Sequence, residues 1–509
     1  RQKVYSRCRE TIPGESNLRL NPRITRVQHQ AVLKIVGILL TLFSTTLLPP
    51  LVISIVNQDG STLPFVISYL ITLAAGLLFW WPVRRQRNEP RLRDGFLIVV
   101  LFWLVLAGFG AIPFLLSVDP AMTLPDAVFE SMSGLTTTGA TVLTGLDNLP
   151  ISILYYRQQL QWLGGMGIIV LAVAVMPMLG IGGMQLYRAE VPGPVKDKKL
   201  TPRIKETAKA LWYIYLGLTV ACALAYWLAG MSAFDAIGHS FSTVAIGGFS
   251  THDQSIGFFD SPVIAGIAVV FMIVAGINFA LHFSVLRARQ LLTYLKDPEV
   301  RVFLGVLFSI SVVALIVLTL AHTYNDPAAT FWHGIFQVVS IATTTGYTTT
   351  GFHWWPSFLP IMLILVSAVG GCAGSTAGGM KIIRAILIYK QGRREIDQLI
   401  HPNALIPIKL GGKPVPESVI DAVWGFFALY TLSYVILALA MTATGVDLVT
   451  AFSAVTACLN NLGPGLGAVA ENYAGISAPG KWILCVSMLL GRLEIFTLLV
   501  LLTPTFWRA

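Results

Sequence analysis

The chain is poor in charge. Only 12% of its 509 residues are Asp, Glu, Lys or Arg, against 55% apolar, where an ordinary soluble domain carries about 25% charged residues. The mean hydropathy of +0.71 agrees. This shortage excludes a soluble enzyme, a disordered chain and a secreted disulfide scaffold. It leaves an all-α polytopic membrane protein. Cysteine is scarce as well. Cys8, Cys222, Cys372, Cys458 and Cys485 are odd in number, and no pair has metal-ligand spacing. Catalytic signatures are missing: there is no HExxH, no CxxC and no GxSxG. A phosphate-binding GxxxxGK starting at Gly374 needs Lys at position 380, where Met380 stands. The net charge of +10 does not point to nucleic acid, because basic excess in a membrane chain belongs to its cytoplasmic loops.

What is present is a series of long apolar runs. A bilayer core takes about 20 apolar residues per helix. Candidate spans lie near 33–56, 64–82, 96–117, 158–184, 210–230, 262–286, 302–322, 357–390, 419–443 and 481–503, ten in all. Residues 1–30 are polar and basic and read as a cytosolic arm, native or added. The run after them is too long for a signal-peptide core and reads as a retained span. Four shorter apolar segments, near 124–137, 233–245, 329–344 and 448–461, are too short to span comfortably. Their length suggests re-entrant helices.

Charge orients these segments. With the N-terminus inside, the outer segments are 57–63, 118–156, 231–261, 323–356 and 444–480, and none contains Lys or Arg. They carry acids, among them Asp126, Glu130, Asp147, Asp235 and Glu471, whereas the inner segments near 84–93, 188–209 and 381–413 are basic. Such asymmetry places both termini in the cytoplasm. An acidic outer face attracts cations and repels anions.

Each short segment precedes a Gly-centred polar stretch: SGLTTTGATV at 133–142, STVAIGGFST at 242–251, SIATTTGYTT at 340–349 and ACLNNLGPGL at 457–466. The pattern of span, short helix, Gly loop and span therefore occurs four times. The units are 96–208, 209–300, 301–417 and 418–509, after two extra spans in 31–95. Non-helical backbone at membrane depth survives only when buried in protein or lining a water-filled cavity. Four such loops on one axis bring four sets of carbonyls together, and rings of carbonyl oxygens replace the hydration shell of an alkali cation. Aiming carbonyls inward requires positive φ, which Gly adopts at little expense. The candidates are Gly139, Gly247, Gly346 and Gly463, flanked by Thr137, Thr138, Ile246, Thr345 and Leu462.

These stretches, with GHSFSTVAIGGFSTHD at 238–253 and GGCAGSTAGGMKIIR at 370–384, resemble the TrkH/TrkG branch of the Trk/Ktr/HKT superfamily of potassium transporters. The resemblance runs from about residue 31 to the C-terminus. It implies four span, pore-helix and span units around one central pore in the bacterial inner membrane. It implies K⁺ as the transported ion, held at Thr138, Gly139, Gly247, Thr345, Gly346 and Gly463. It also implies a homodimer and a cytosolic nucleotide-binding regulatory subunit of the TrkA type. No organic cofactor is expected on this chain.

Two further features bear on control. Gly370, Gly371, Gly374, Gly378 and Gly379 interrupt the span 357–390, and so Gly-rich a run makes a poor helix. A flexible intramembrane loop below the filter is expected, and the resemblance implies a gate at this place. Arg492 falls in the last span. A charge at that depth costs about 2.5–3.5 kcal/mol on insertion scales and faces an aqueous or protein interior. Either it lines the permeation path, as the resemblance implies, or it anchors a buried ion pair. Glu494 is two positions on and points to a different face. A coupled H⁺ or Na⁺ symporter remains the alternative to a channel-like pore, with Glu494 the obvious coupling acid. A membrane-embedded enzyme requires convergent His, Asp, Glu or Cys at membrane depth, and the sequence offers no such cluster.

Overall fold

A computed structural model describes residues 28–85, 92–170, 200–356 and 358–507. The expected N-terminal arm, the far end of the span 158–184 and most of the basic segment 188–209 lie outside the described residues. The fold is helical. Among the described residues, strand is confined to an antiparallel pair, Lys409–Leu410 with Lys413–Pro414.

Six described helices are long and apolar enough to cross a membrane, and up to eight if each bent pair counts as one span. Three of the expected spans are broken, that at 357–390 where the Gly-rich run interrupts it and two where no break was expected. The run 262–286 forms Pro262–Ala275 and Phe279–Ala288, bent by 93°. It breaks at Gly276-Ile277-Asn278, where the Asn278 side chain caps the second piece by accepting from the Ala280 N–H. The run 357–390 contains Leu359–Ser367, then irregular backbone, then Ile382–Ile400. The run 481–503 forms Ala478–Arg492 and Phe496–Leu502, bent by 114°. There Glu494 and Ile495 adopt φ of +53° and +56°. Apolarity predicted the lengths of the runs 262–286 and 481–503 but not their breaks, because a buried turn looks like a span when neighbours satisfy its backbone.

The three breaks meet. The Cys372 N–H donates to Gly276 O at 2.9 Å, and the Phe279 N–H donates to Gly374 O at 3.1 Å. Arg492 reaches Thr376 O at 3.3 Å. The Gly-rich segment of the third unit thus lies between the bends of the second and fourth.

The four short segments are helices: Leu124–Leu135, Ala233–Ala245, Pro327–Ala342 and Leu448–Leu459. Three have side-chain N-caps, Ser232, Asp326 and Asp447, which satisfy otherwise unpaired first-turn N–H groups. All four run C-terminally into the Gly-centred loops, so the negative ends of their macrodipoles face those loops. Two apolar clusters hold the units together. One joins the first and fourth through Phe129, Tyr156, Leu459, Tyr473 and Met488. The other joins the second and third through Tyr215, Met272, Phe336 and Tyr347.

Candidate functional site

The four loops leave their helices by the same device. An N–H reaches back five residues: Thr138 to Ser133 O, Gly247 to Ser242 O, Thr345 to Ser340 O and Leu462 to Ala457 O, at 2.8–2.9 Å. The residue before each donor has positive φ: Thr137 (51°), Ile246 (54°), Thr344 (66°) and Asn461 (53°). The residue after it is a positive-φ glycine: Gly139 (81°), Gly248 (78°), Gly346 (83°) and Gly463 (98°). This corrects the expected register in the second unit. Gly248, not Gly247, is the left-handed glycine equivalent to Gly139. Gly247 sits one level deeper, beside Thr138, Thr345 and Leu462. The adjacent Gly247-Gly248 hid the slip, although Ser133, Ser242 and Ser340 each stand six residues before the left-handed glycine.

The loops close a ring through backbone. A Cβ on Gly139 would stand 2.1 Å from Gly247 O, one on Gly248 2.0 Å from Thr345 O, one on Gly346 2.1 Å from Leu462 O, and one on Gly463 2.7 Å from Thr138 O. No side chain fits at these four places. The carbonyls of Thr137, Thr138, Gly139, Ile246, Gly248, Thr344, Thr345, Gly346, Asn461 and Leu462 accept no hydrogen bond from any described residue. Buried carbonyls are rarely left unpaired. Gly139, Gly248 and Gly346 line, with Gly463, a cavity of about 630 Å³ that Asp253 and Glu471 also line. The arrangement suits a desolvated cation.

A buried ion pair stands behind the first loop. Arg157 donates from Nε to Glu130 at 2.7 Å, with both side chains almost fully buried. The Glu130 carboxylate also accepts from the Val142 N–H at 3.0 Å, while Arg157 donates to Ser250 O at 3.2 Å in the second unit. His252 lies at the cavity wall between the carboxylates of Asp147 and Asp235. Burial pushes its pKa down, but the two carboxylates outweigh burial and raise it. Sequence reasoning recorded Glu130, Asp147 and Asp235 only as acids, because the partners that join them are distant in the chain.

The Gly-rich segment presses on the underside of the ring. The Gly378 N–H donates to Thr344 Oγ1 at 2.7 Å, and the Gly379 N–H donates to Asn460 O at 3.0 Å. Gly370, Gly374 and Gly379 have positive φ, while a Cβ on Gly378 would meet Asn460 O at 2.0 Å and one on Gly371 would meet Gly276 O at 2.9 Å. Lys381 folds back to donate from Nζ to Ser375 O at 3.2 Å and Ala377 O at 2.7 Å. Arg492 ends its helix rather than lying mid-span. It donates to Thr137 Oγ1 at 2.5 Å and to Thr376 O at 3.3 Å. It has no ion-pair partner among the described residues, and Glu494 pairs instead with Arg384. Of the two readings of Arg492, the buried ion pair is thus not what the structure holds.

The model of the TrkH family, described as a cation transport protein, matches residues 62–508. The chain belongs to the TrkH family. This is a family of transport proteins, and the chain is not an enzyme. The TrkH-family chain is 57% identical over 479 residues to a Trk system potassium uptake protein TrkH of Salmonella typhimurium, covering 94% of this chain and 99% of that relative. It is 41% identical over 473 residues to the Trk system potassium uptake protein TrkG of Escherichia coli K12, covering 93% and 97%. Its fold matches the crystal structure of the potassium transporter TrkH from Vibrio parahaemolyticus with a TM-score of 0.88 and 54% identity, over 94% of this chain and all of that one.

Proposed function

We propose that this protein takes up potassium across the bacterial inner membrane through the axis of the four loops. The observation that carries the reading is the ring of unpaired carbonyls closed by Gly139, Gly248, Gly346 and Gly463. A K⁺ ion sheds water and finds replacement oxygens at Thr138, Gly139, Gly247, Thr345, Gly346 and Gly463, with Gly248 added. The four helix C-termini add negative potential there. The segment Gly370–Gly379 and Arg492 form the closed gate below, the one by occupying space and the other by its positive charge. The names of the relatives, which are Trk system potassium uptake proteins, favour K⁺ as the cargo. The word system in those names favours a multi-component assembly; to this we add a cytosolic nucleotide-binding regulatory subunit on the basic inner face, a homodimer and, from the charge asymmetry of the loops, both termini cytoplasmic. The pairing of Glu494 with Arg384 favours a channel-like pore over H⁺ or Na⁺ symport, because the obvious coupling acid is engaged.

The test is radioactive rubidium uptake into proteoliposomes, with sodium as competitor and no other ion gradient. Saturable uptake that potassium blocks and sodium does not is expected. Uptake that requires an added H⁺ or Na⁺ gradient would reverse the choice of mechanism, and no cation-specific uptake would reject the function.

A further inference from the structure

Although all four loops share one backbone path, they are not braced alike. In the first and third units, paired threonines stand behind the loop. Thr136 Oγ1 bonds Thr138 Oγ1 at 2.8 Å and returns to Met132 O, and Thr343 Oγ1 bonds Thr345 Oγ1 at 2.8 Å and returns to Val339 O. The second and fourth units have Ala245 with Gly247, and Asn460 with Leu462, at the same places. The hydroxyl pair is absent from both.

Of the carbonyls at 137–139, 246–248, 344–346 and 461–463, only those of Gly247 and Gly463, in these two units, accept a hydrogen bond from a described residue. Gln161 is fully buried on the helix Ile151–Val170 of the first unit. Its Nε2 donates to Gly247 O at 2.5 Å, and its Oε1 accepts from the Phe249 N–H at 3.1 Å. The amide thus pairs with loop two as a neighbouring strand would. The approach is close enough that a Cβ on Gly247 would stand 2.4 Å from Gln161 Cδ. Gly247 is therefore glycine to admit Gln161, not to reach positive φ. In the fourth unit the buried Tyr473 donates from its hydroxyl to Gly463 O at 2.7 Å, and its own N–H donates to Thr141 O at 2.7 Å in the first.

We infer that Gln161 and Tyr473 are positioning residues for ion discrimination, replacing the missing threonine pairs by holding the Gly247 and Gly463 carbonyls in place. The inference rests on the proposed ion pathway. A carbonyl tethered by a donor keeps its distance from the axis when a smaller ion enters, so Na⁺ is left under-coordinated. An untethered peptide tilts inward and accommodates it. Tethering also draws electron density from the oxygen, so K⁺ leaves more easily.

The experiment measures K⁺/Na⁺ selectivity and the half-saturating K⁺ concentration per folded molecule. It compares the wild-type protein, Gln161→Met, Tyr473→Phe and Gln159→Leu in proteoliposomes. Gln159 is a buried neighbour whose amide donates to Thr46 O at 2.9 Å, away from the loops. Loss of one hydrogen bond corresponds to a fall of about fivefold in selectivity. That fall is expected in Gln161→Met and Tyr473→Phe, with a lower half-saturating K⁺, while Gln159→Leu keeps the wild-type ratio. Tyr473→Phe removes one oxygen and retains the ring, so it decides the matter even where Gln161→Met does not fold. Unchanged ratios in the loop-facing variants, or an equal fall in all three, would overturn the inference. A wild-type protein without selective flux would instead reject the proposed function itself.

Discussion

Among the described residues, Arg492 is a cation held only by neutral oxygens, the Thr137 hydroxyl and the Thr376 carbonyl. Its removal strands no opposite charge, so the loss of 3–5 kcal/mol that follows breaking a buried ion pair does not apply. What changes, on the proposed pathway, is the potential on the axis. Two unit charges about 6 Å apart repel by about 2.8 kcal/mol at an effective dielectric of about 20, on the order of a hundredfold in ion occupancy. Arg492→Ala is therefore expected to raise rubidium flux with a nearly unchanged melting temperature, whereas Arg492→Lys retains the barrier. A lower melting temperature without added flux would show a structural role. At this scale the sequence was informative wherever a residue type is intrinsically unusual, as with a charge in a span or a Gly after Thr-Thr-Thr. It was silent where identity is generic and position decides. Nothing about Gln161 or Tyr473 distinguishes them from other Gln and Tyr residues until the chain is folded.

Among elements, the Gly-rich segment is held by bonds to several neighbours, and one of them reaches the ring itself. The Gly378 N–H on Thr344 Oγ1 fastens it to a loop residue that already has positive φ. Thr344→Val keeps the shape and deletes the acceptor. Losing a bond worth about 1 kcal/mol shifts the closed–open balance about fivefold. Basal rubidium flux without any cytosolic partner is expected to rise by that factor, and unchanged basal flux would show that the segment does not close the path. Composition made this segment legible as an interruption, and length made the four short helices legible. The bends at 276–278 and 493–495 were not, because Ile277 and Leu493 are as apolar as their neighbours while the turn is stabilised by tertiary bonds.

Across the whole molecule, ion pairs and hydrogen bonds join one unit to the next. His252 of the second unit joins Asp147 of the first to Asp235 at the start of its own short helix. Its pKa is raised, so the stabilisation is complete below the ordinary histidine value of about 6.5 and fades as pH rises through the folded value. The melting temperature in detergent is expected to fall as pH rises above about 6.5, and Gln in place of His252 is expected to remove that component. A variant with the same slope as wild type would assign the pH dependence elsewhere. The circle of units also has a seam. Gly463 lies against Thr138, Tyr473 bonds Thr141, and Lys481 of the last unit reaches Asp126 of the first. The first quarter of the wall leaves the ribosome long before the last. Until the fourth quarter is inserted there is no enclosed route, only a curved surface with lipid on its open side. On the proposed pathway, a copy terminated before the fourth unit is therefore expected to enclose no route for ions.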